Sequence, residues 1–227
     1  MKIRPVILIN SLIIFSLFFH AGRIFCSQAD DLNTLGLADY KSGNVSNAID
    51  NFSKAIKLDP ELSPAYNNRG DAYYKSGDLT NAFADYSRAI ELDPKMAQAY
   101  NNRGVIYYKY GYLTNAITDY SKAIELKPDF TGAYFNRGLA GYKAGKLTNA
   151  VADYSKAIGL DPKLALAYCN RGLAYYSLGQ KENALKDFKK GESLSPEGSA
   201  LKAFAHSLIL QIESTRMMQP RGGVKSR

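Results

Sequence analysis

The chain has 227 residues, a formal charge of +8 at neutral pH, and 17 tyrosines but no tryptophan. Hydrophobic residues make up 46% and charged residues 22% of the sequence, which is ordinary for a soluble protein. This composition argues against wholesale disorder and against a membrane protein with many spans. The length fits one elongated domain or two small domains.

The first residues predict a secretory signal peptide over residues 1–29. A basic start precedes a largely apolar run from Val6 to Phe19, and a small-x-small cleavage site follows at Ser27-Gln28-Ala29. We therefore expect an exported chain that begins at Asp30 and resides in a periplasm, a secretory lumen or the medium. One alternative is an uncleaved signal anchor, which would make this a membrane protein. The other is a lipid anchor on Cys26.

Cleavage would change both the charge and the thiol content. It removes Lys2, Arg4 and Arg23 but no acidic residue, so the formal charge falls to +5. Only Cys169 would remain, which excludes an intrachain disulfide. We expect this thiol to be buried and inert rather than reactive. Glycosylation sequons begin at Asn44 and Asn51, and they matter only on a eukaryotic export route.

A hexapeptide recurs with a fixed period of 34 residues. It first stands at Ala65-Tyr66-Asn67-Asn68-Arg69-Gly70 and returns at residues 99–104, 133–138 and 167–172, while a weaker copy precedes it. A period of this length indicates a repeat protein. We therefore expect five units that tile residues 29–198, of which residues 30–198 belong to the expected mature chain. Their bounds are 29–62, 63–96, 97–130, 131–164 and 165–198.

Each unit is predicted to form two antiparallel helices, so the fold class is all-α. In the second unit, Ser63-Pro64 predicts an N-cap and the first helical residue, and Gly77 predicts a left-handed helix end. Asp78 is expected to cap the second helix. That helix should end at Asp93-Pro94, because a residue before proline avoids the helical region. One such pair cannot close a core, but stacked neighbours can.

Seven positions of the unit resemble the tetratricopeptide repeat (TPR). In the second unit these are Tyr66, Gly70, Tyr73, Ala82, Tyr86, Ala89 and Pro94, at repeat positions 4, 8, 11, 20, 24, 27 and 32. The resemblance implies a right-handed superhelical solenoid of antiparallel helix pairs, with an inner groove lined by the first helix of each unit. Asp39 and Gly141 at position 11, and Gly191 at position 27, depart from the pattern and predict looser packing.

Arginine at position 7 and aspartate at position 23 occur together. Units two to five contain both residues, whereas the first unit has Leu35 and Asn51. We interpret the pair as a salt bridge between the two helices rather than as ligand contacts, because a half-buried unpaired charge is costly. The predicted pairs are Arg69–Asp85, Arg103–Asp119, Arg137–Asp153 and Arg171–Asp187.

Residues 199–218 predict a capping helix. Its apolar residues recur at helical spacing, and a solenoid end needs a cover for its apolar surface. A dimerisation helix is the alternative. Residues 219–227 are predicted to form a basic disordered tail.

Catalytic chemistry finds little support in the sequence. The expected mature chain contains one histidine, His206, and one cysteine, Cys169. It lacks a phosphate-binding GxxxxGK[ST] loop. Paired carboxylates occur only at solvated or salt-bridged positions. We therefore expect a protein that is not an enzyme and that uses no cofactor or metal.

The resemblance places particular side chains along the groove. Position 6 carries asparagines, whose amides can donate to and accept from a peptide backbone, although support of turns or inter-repeat contacts explains them equally well. Position 13 carries lysines. They form either a positive stripe that favours acidic segments of a ligand or a set of solvated charges with no role in binding. Position 12 carries tyrosines. The predicted peptide-binding residues are Asn68, Asn102, Asn136, Asn170, Lys75, Lys109, Lys143, Tyr74, Tyr108, Phe135 and Leu139.

The groove is predicted to have a polar N-terminal half that holds backbone and an apolar C-terminal half that accepts a hydrophobic anchor. Phe135 and Leu139 represent the apolar half. The family's carboxylate clamp is not reproduced, because Leu37 and Asp71 stand at position 9, where that clamp has asparagine.

We therefore expect a non-catalytic adaptor that binds an extended peptide or a partner protein, acidic or with an apolar anchor. Self-assembly through the repeat ends or the last helix is the alternative. Nucleic-acid binding is less expected, because most tyrosines occupy packing positions and the basic charge falls on cleavage.

Overall fold

The computed structural model of the protein describes the backbone of residues 28–217 and the side chains of residues 28–214. Residues 1–27 of the predicted signal peptide and the whole predicted basic tail, residues 219–227, lie outside the described residues. Within residues 28–217, no helix combines the length and apolar character that a membrane span requires.

The described residues form helices and short turns, and the predicted all-α class is confirmed. The first helix, α1, covers residues 28–42. The others are α2 (Val45–Leu58), α3 (Ser63–Ser76), α4 (Leu79–Leu92), α5 (Ala97–Lys109), α6 (Leu113–Leu126), α7 (Thr131–Lys143), α8 (Leu147–Leu160), α9 (Ala165–Ser177), α10 (Lys181–Leu194) and α11 (Ala200–Met217).

Local sequence signals account for the helix ends of the second repeat. Gly77 has a φ of 89° and ends α3 in the left-handed conformation. Asp78 caps α4, because its carboxylate accepts the backbone N–H of Asn81. The predicted N-cap at Ser63 was wrong by one residue: α3 begins there, Leu62 is the cap, and Pro64 lies in the first turn.

The chain forms two compact units, which are described separately. The first ends at Arg103 and the second begins at Gly104, within α5. In the first unit, Ala48 and Phe52 of α2 pack with Ala72 of α3. A second cluster in this unit joins Ala89 and Ile90 of α4 to Ala99 of α5.

The second unit contains the last helix and the surface that this helix covers. Ile209 and Ile212 of α11 pack with Ala184 and Phe188 of α10, and all four side chains are buried. This arrangement is what a capping helix requires, because the apolar faces of both helices leave the solvent.

Glycine at position 8 lets the two helices of a repeat approach closely. A Cβ on Gly138 would lie 2.7 Å from a ring carbon of Tyr154, and one on Gly172 would lie 2.8 Å from a ring carbon of Phe188. Both rings are fully buried. The aromatic residue at position 24 therefore occupies the space that a side chain at position 8 would need.

The predicted salt bridges are confirmed at three repeats. Arg171 donates from Nε and Nη2 to both oxygens of Asp187 at 2.7 and 2.8 Å, and Arg69–Asp85 and Arg137–Asp153 repeat this bidentate geometry. The Nη1 of each arginine also donates to a serine of the preceding repeat. Each guanidinium therefore joins its own helix pair to the previous pair.

Two of the predicted loose positions differ from expectation. In the first repeat, Asp39 accepts a 2.7 Å hydrogen bond from Asn51, which replaces the missing salt bridge. In the last repeat, the prediction of loose packing at Gly191 was wrong, because a Cβ there would overlap the Sγ of Cys169. Cys169 is buried at a position where the third repeat has Asn101, so the glycine makes room for the thiol.

Replacing Gly138 with alanine should lower the free energy of unfolding by roughly 1–3 kcal/mol, because the new methyl group overpacks the helix pair against Tyr154. Gly159→Ala is the matched control. No atom lies within 4 Å of a Cβ at this helical glycine, so alanine should stabilise the protein by up to about 1 kcal/mol. Urea unfolding of both variants measures the difference, and equal effects would contradict the close-approach argument.

Replacing Arg171 with methionine should lower the free energy of unfolding by about 3–5 kcal/mol, because it leaves the Asp187 carboxylate buried without its partner. Arg88→Met removes the exposed pair with Glu91 and should change stability little. Thermal and urea melts of the two variants test this. A similar loss in both would refute a structural role specific to the buried pair.

Candidate binding surface on the first helices

Amide side chains from successive repeats meet on the first helices of the N-terminal unit. We call Asn33, Asn67, Asn68, Asp71 and Asn102 the amide cluster. The Nδ2 of Asn68 donates to Asn33 at 3.0 Å. The Nδ2 of Asn102 donates to Asp71 at 2.8 Å and to Asn67 at 3.3 Å. These bonds connect neighbouring repeats, so two predicted peptide-binding asparagines also have the inter-repeat contacts of the alternative interpretation.

The two asparagines differ in the hydrogen-bonding capacity that remains. The Oδ1 of Asn102 accepts from Gln98 and Asn101. The Oδ1 of Asn68 accepts no hydrogen bond from any residue within 28–217, and the side chain is only half-buried. Asn68 therefore offers an acceptor to an incoming N–H group.

Asp71 is the charged member of the amide cluster. Its Oδ1 accepts from the Tyr86 hydroxyl and from Asn102, both at 2.8 Å. No lysine or arginine among the described residues forms a salt bridge with it. Burial raises the pKa of Asp71 to about 6, although the Tyr86 hydrogen bond works in the opposite direction.

The sequence marked Asp71 as a departure from the carboxylate clamp but did not predict its hydrogen bonds with Tyr86 and Asn102. One signal was present in the sequence: Asp71 is the single polar residue at position 9 among the five repeats. Leucine at position 9 accompanies phenylalanine in the first and last repeats, whereas Asp71 accompanies Tyr86. In the fourth repeat Leu139 accompanies Tyr154, and the buried Tyr154 hydroxyl has no hydrogen-bond partner among the described residues.

The predicted lysines contact tyrosine rings of the preceding repeat. The Nζ of Lys75 lies 4.6 Å from the ring centroid of Tyr40, and Lys143 lies 5.1 Å from that of Tyr108. Such distances are typical of cation–π contacts. In the fifth repeat serine replaces lysine, and Ser177 instead hydrogen-bonds the Tyr142 hydroxyl at 3.2 Å. Positions 12 and 13 therefore join successive repeats. Lys109 and Tyr74 also have interaction partners.

The C-terminal unit presents the predicted apolar residues. The Phe135 ring lies 5.8 Å from the Tyr154 ring, and Leu139 is half-buried. Leu166 is 47% exposed. Asn170 donates to the backbone oxygen of Leu166 in its own helix, and Asn136 is half-buried with interaction partners of its own. Apolar side chains therefore reach solvent on the first helices of this unit.

Reactive groups are scarce in the described part of the chain. Cys169 is buried, and burial raises the pKa of its thiol to about 11, so it stays protonated at neutral pH. Residues 28–217 contain no group of three or more histidine, cysteine, aspartate or glutamate side chains suited to a metal ion.

Family models identify the repeats. A model described as TPR repeat matches residues 36–77, 70–111, 107–145 and 138–179, and one described as tetratricopeptide repeat matches residues 165–197. These matches cover more than half of the chain. The chain therefore belongs to the tetratricopeptide repeat family, whose fold is typically a non-catalytic scaffold for protein–protein interaction.

Solved structures support the same fold. A crystal structure of MamA is 28% identical with a TM-score of 0.65, and the match covers 70% of this chain and 93% of MamA. YrrB, described as a TPR protein with an unusual peptide-binding site, is 21% identical with a TM-score of 0.65 over 81% of this chain and 90% of YrrB. A thermophilic TPR protein from Thermus thermophilus is 21% identical, with a TM-score of 0.62 over 80% and 99% of the two chains. A search of curated proteins found no match.

Replacing Asp71 with asparagine should raise the free energy of unfolding by about 2 kcal/mol at pH 7.5. The raised pKa means that Asp71 retains its proton more strongly in the folded state, so the contribution of Asp71 to wild-type stability falls as the pH rises from about 4 to about 6. The difference between the two proteins should therefore disappear near pH 4. Urea unfolding at both pH values measures it, with Asp50→Asn as an exposed control. A pH-independent difference would contradict the burial argument.

Proposed function

We propose that this protein is a non-catalytic adaptor that binds an extended segment of a partner protein on the first helices of its repeats. Membership of the TPR family supports protein–protein interaction in general. The unusual peptide-binding site described for YrrB supports a peptide as the ligand on a related fold.

The observation that carries the proposal is the half-buried asparagine at position 6 of four successive repeats. Asn68 keeps an acceptor without a described partner, next to amides that already bond between repeats. An extended peptide offers N–H and C=O groups at regular intervals, and asparagine side chains bind both. The same residue type in four of the five repeats suits recognition of backbone rather than of sequence.

The first helices of the two units, each taken by itself, carry different chemistry. The amide cluster of the N-terminal unit suits polar backbone, whereas Phe135, Leu139 and Leu166 of the C-terminal unit suit an apolar side chain. Lys75 and Lys143 are exposed on the first helices beside tyrosine rings. The proposal therefore includes acidic residues in the bound segment.

Export is a further part of the proposal, and it rests on the sequence of residues 1–29 alone. A protein ligand is preferred to nucleic acid because Tyr86, Tyr120 and Tyr154 are buried in the repeats, where they do not stack on bases.

Selection from a phage-displayed library of random peptides tests the proposal. The double substitution Asn68→Ala and Asn136→Ala should lower the affinity for the enriched peptides at least about tenfold, because the hydrogen bonds of two side-chain amides to the peptide are lost. Asn47→Ala with Asn115→Ala is the matched control on the exposed faces of second helices, and it should leave affinity unchanged.

Circular dichroism melts verify that both double variants fold. Equal binding by wild type and the Asn68/Asn136 variant would refute the role of these asparagines. Failure of the wild type to enrich any peptide would refute peptide binding itself.

A further inference from the structure

The fourth repeat lacks a side chain that three other repeats possess. Position 11 is tyrosine in the second, third and fifth repeats, at Tyr73, Tyr107 and Tyr175, whereas the fourth repeat has Gly141. Tyr73 lies over the guanidinium of Arg69, and Tyr175 lies over that of Arg171, each with 5.8 Å between ring centroid and Cζ.

The missing ring changes the surroundings of Arg137. Arg69 and Arg171 each contact two rings, from positions 4 and 11 of their own repeats. Arg137 contacts Tyr134 at position 4, at 5.8 Å, and no second ring among the described residues lies over it. Its side chain is also more exposed, at 26% against 19% and 18% for the other two.

A cavity of about 340 Å³ lies beside Arg137 and Gly141 in the C-terminal unit. Its wall includes Ile117 and Ser121 of α6, Arg137 and Gly141 of α7, and Asp153 of α8. A Cβ on Gly141 would meet its nearest neighbour, the backbone oxygen of Lys146, at 3.8 Å. That is ordinary contact distance, so the space beside Gly141 admits further atoms.

We propose that this cavity binds an aromatic side chain of a partner protein, with the ring against the Arg137 guanidinium where the other repeats place their own tyrosine. The same contact between an arginine and a tyrosine ring occurs twice within this protein, at Arg69 and at Arg171.

Size and chemistry agree with that occupant. A cavity of about 150 Å³ is large enough to hold benzene, so this cavity has room for a phenol ring. The guanidinium attracts the face of an aromatic ring through its charge. Lys146 and Asn149 also line the cavity and provide polar groups for a tyrosine hydroxyl. A purely aliphatic side chain would use neither the guanidinium nor these polar groups.

This site is separate from the surface in the proposed function. None of its lining residues belongs to the amide cluster or to the predicted peptide-binding set. Loss of one site therefore leaves the other intact, and the two proposals fail in different experiments.

The test uses p-cresol, the tyrosine side chain as a small molecule, titrated into isotope-labelled full-length protein. NMR should show saturable shifts at Ile117, Ser121 and Lys146. Gly141→Tyr fills the cavity from within and should weaken p-cresol binding at least tenfold. Gly159→Tyr makes the same change at an exposed helical glycine and should leave binding unchanged.

Two further ligands identify the occupant. Cyclohexanol, which has a hydroxyl but no aromatic ring, should bind at least several-fold more weakly than p-cresol. The blocked tripeptide Gly-Tyr-Gly should produce shifts at the same residues, and Gly-Ala-Gly should produce none. Gly141→Met provides a second filled cavity if the tyrosine variant does not fold.

Several outcomes would overturn the proposal. These are the absence of saturable shifts at the lining residues, unchanged binding in both filled variants, or equal binding of cyclohexanol and p-cresol. Binding of p-cresol without binding of the tyrosine tripeptide would assign the cavity to a free phenol instead of a partner's side chain. Sedimentation that shows self-association abolished by Gly141→Tyr would assign it to a second copy of this chain.

Discussion

The packing of an aromatic ring beneath a glycine is the contact on which the other features of each repeat depend. Because position 8 has no side chain in repeats such as those of Gly138 and Gly172, the ring at position 24 lies fully buried between the two helices. In the second repeat, the buried ring also carries a polar group that position 9 satisfies. Tyr86 has a hydroxyl, and Asp71 accepts its hydrogen bond. Where the ring is phenylalanine, leucine suffices.

The repeats are joined by a second set of polar contacts. Arginine at position 7 bridges its own aspartate and a serine of the preceding repeat, as Arg171 does with Asp187 and Ser155. Lysine or serine at position 13 contacts the tyrosine at position 12 of the preceding repeat. The charged side chains at positions 7 and 13 therefore serve the stacking of the repeats. A high formal charge is consequently a weak guide to the ligand of a repeat protein of this kind.

Departures from the repeat pattern mark the places where the packing of one repeat differs from that of its neighbours. Gly191 accommodates the thiol of Cys169, so that departure is compensated within the fold. Asp39 is likewise compensated by Asn51. Gly141 is not compensated, because it leaves a cavity beside an arginine that has lost an aromatic neighbour. The comparison of one repeat with the next separates these cases, because every copy is a control for the others.

Much of this architecture was readable from the sequence. Its period, helix ends and paired charges recur at 34-residue spacing, and each follows from local rules such as the left-handed glycine at Gly77 and the cap at Asp78. The sequence did not decide whether Asn102 points to a ligand or to Asp71, whether Lys75 meets solvent or the Tyr40 ring, or whether Gly191 loosens its repeat. These outcomes depend on which side chains of the neighbouring helices lie within hydrogen-bond or van der Waals distance. Residues 35 positions apart, such as Lys75 and Tyr40, meet only after the repeats stack. The distance in space between two such side chains is set by tertiary packing rather than by any local pattern.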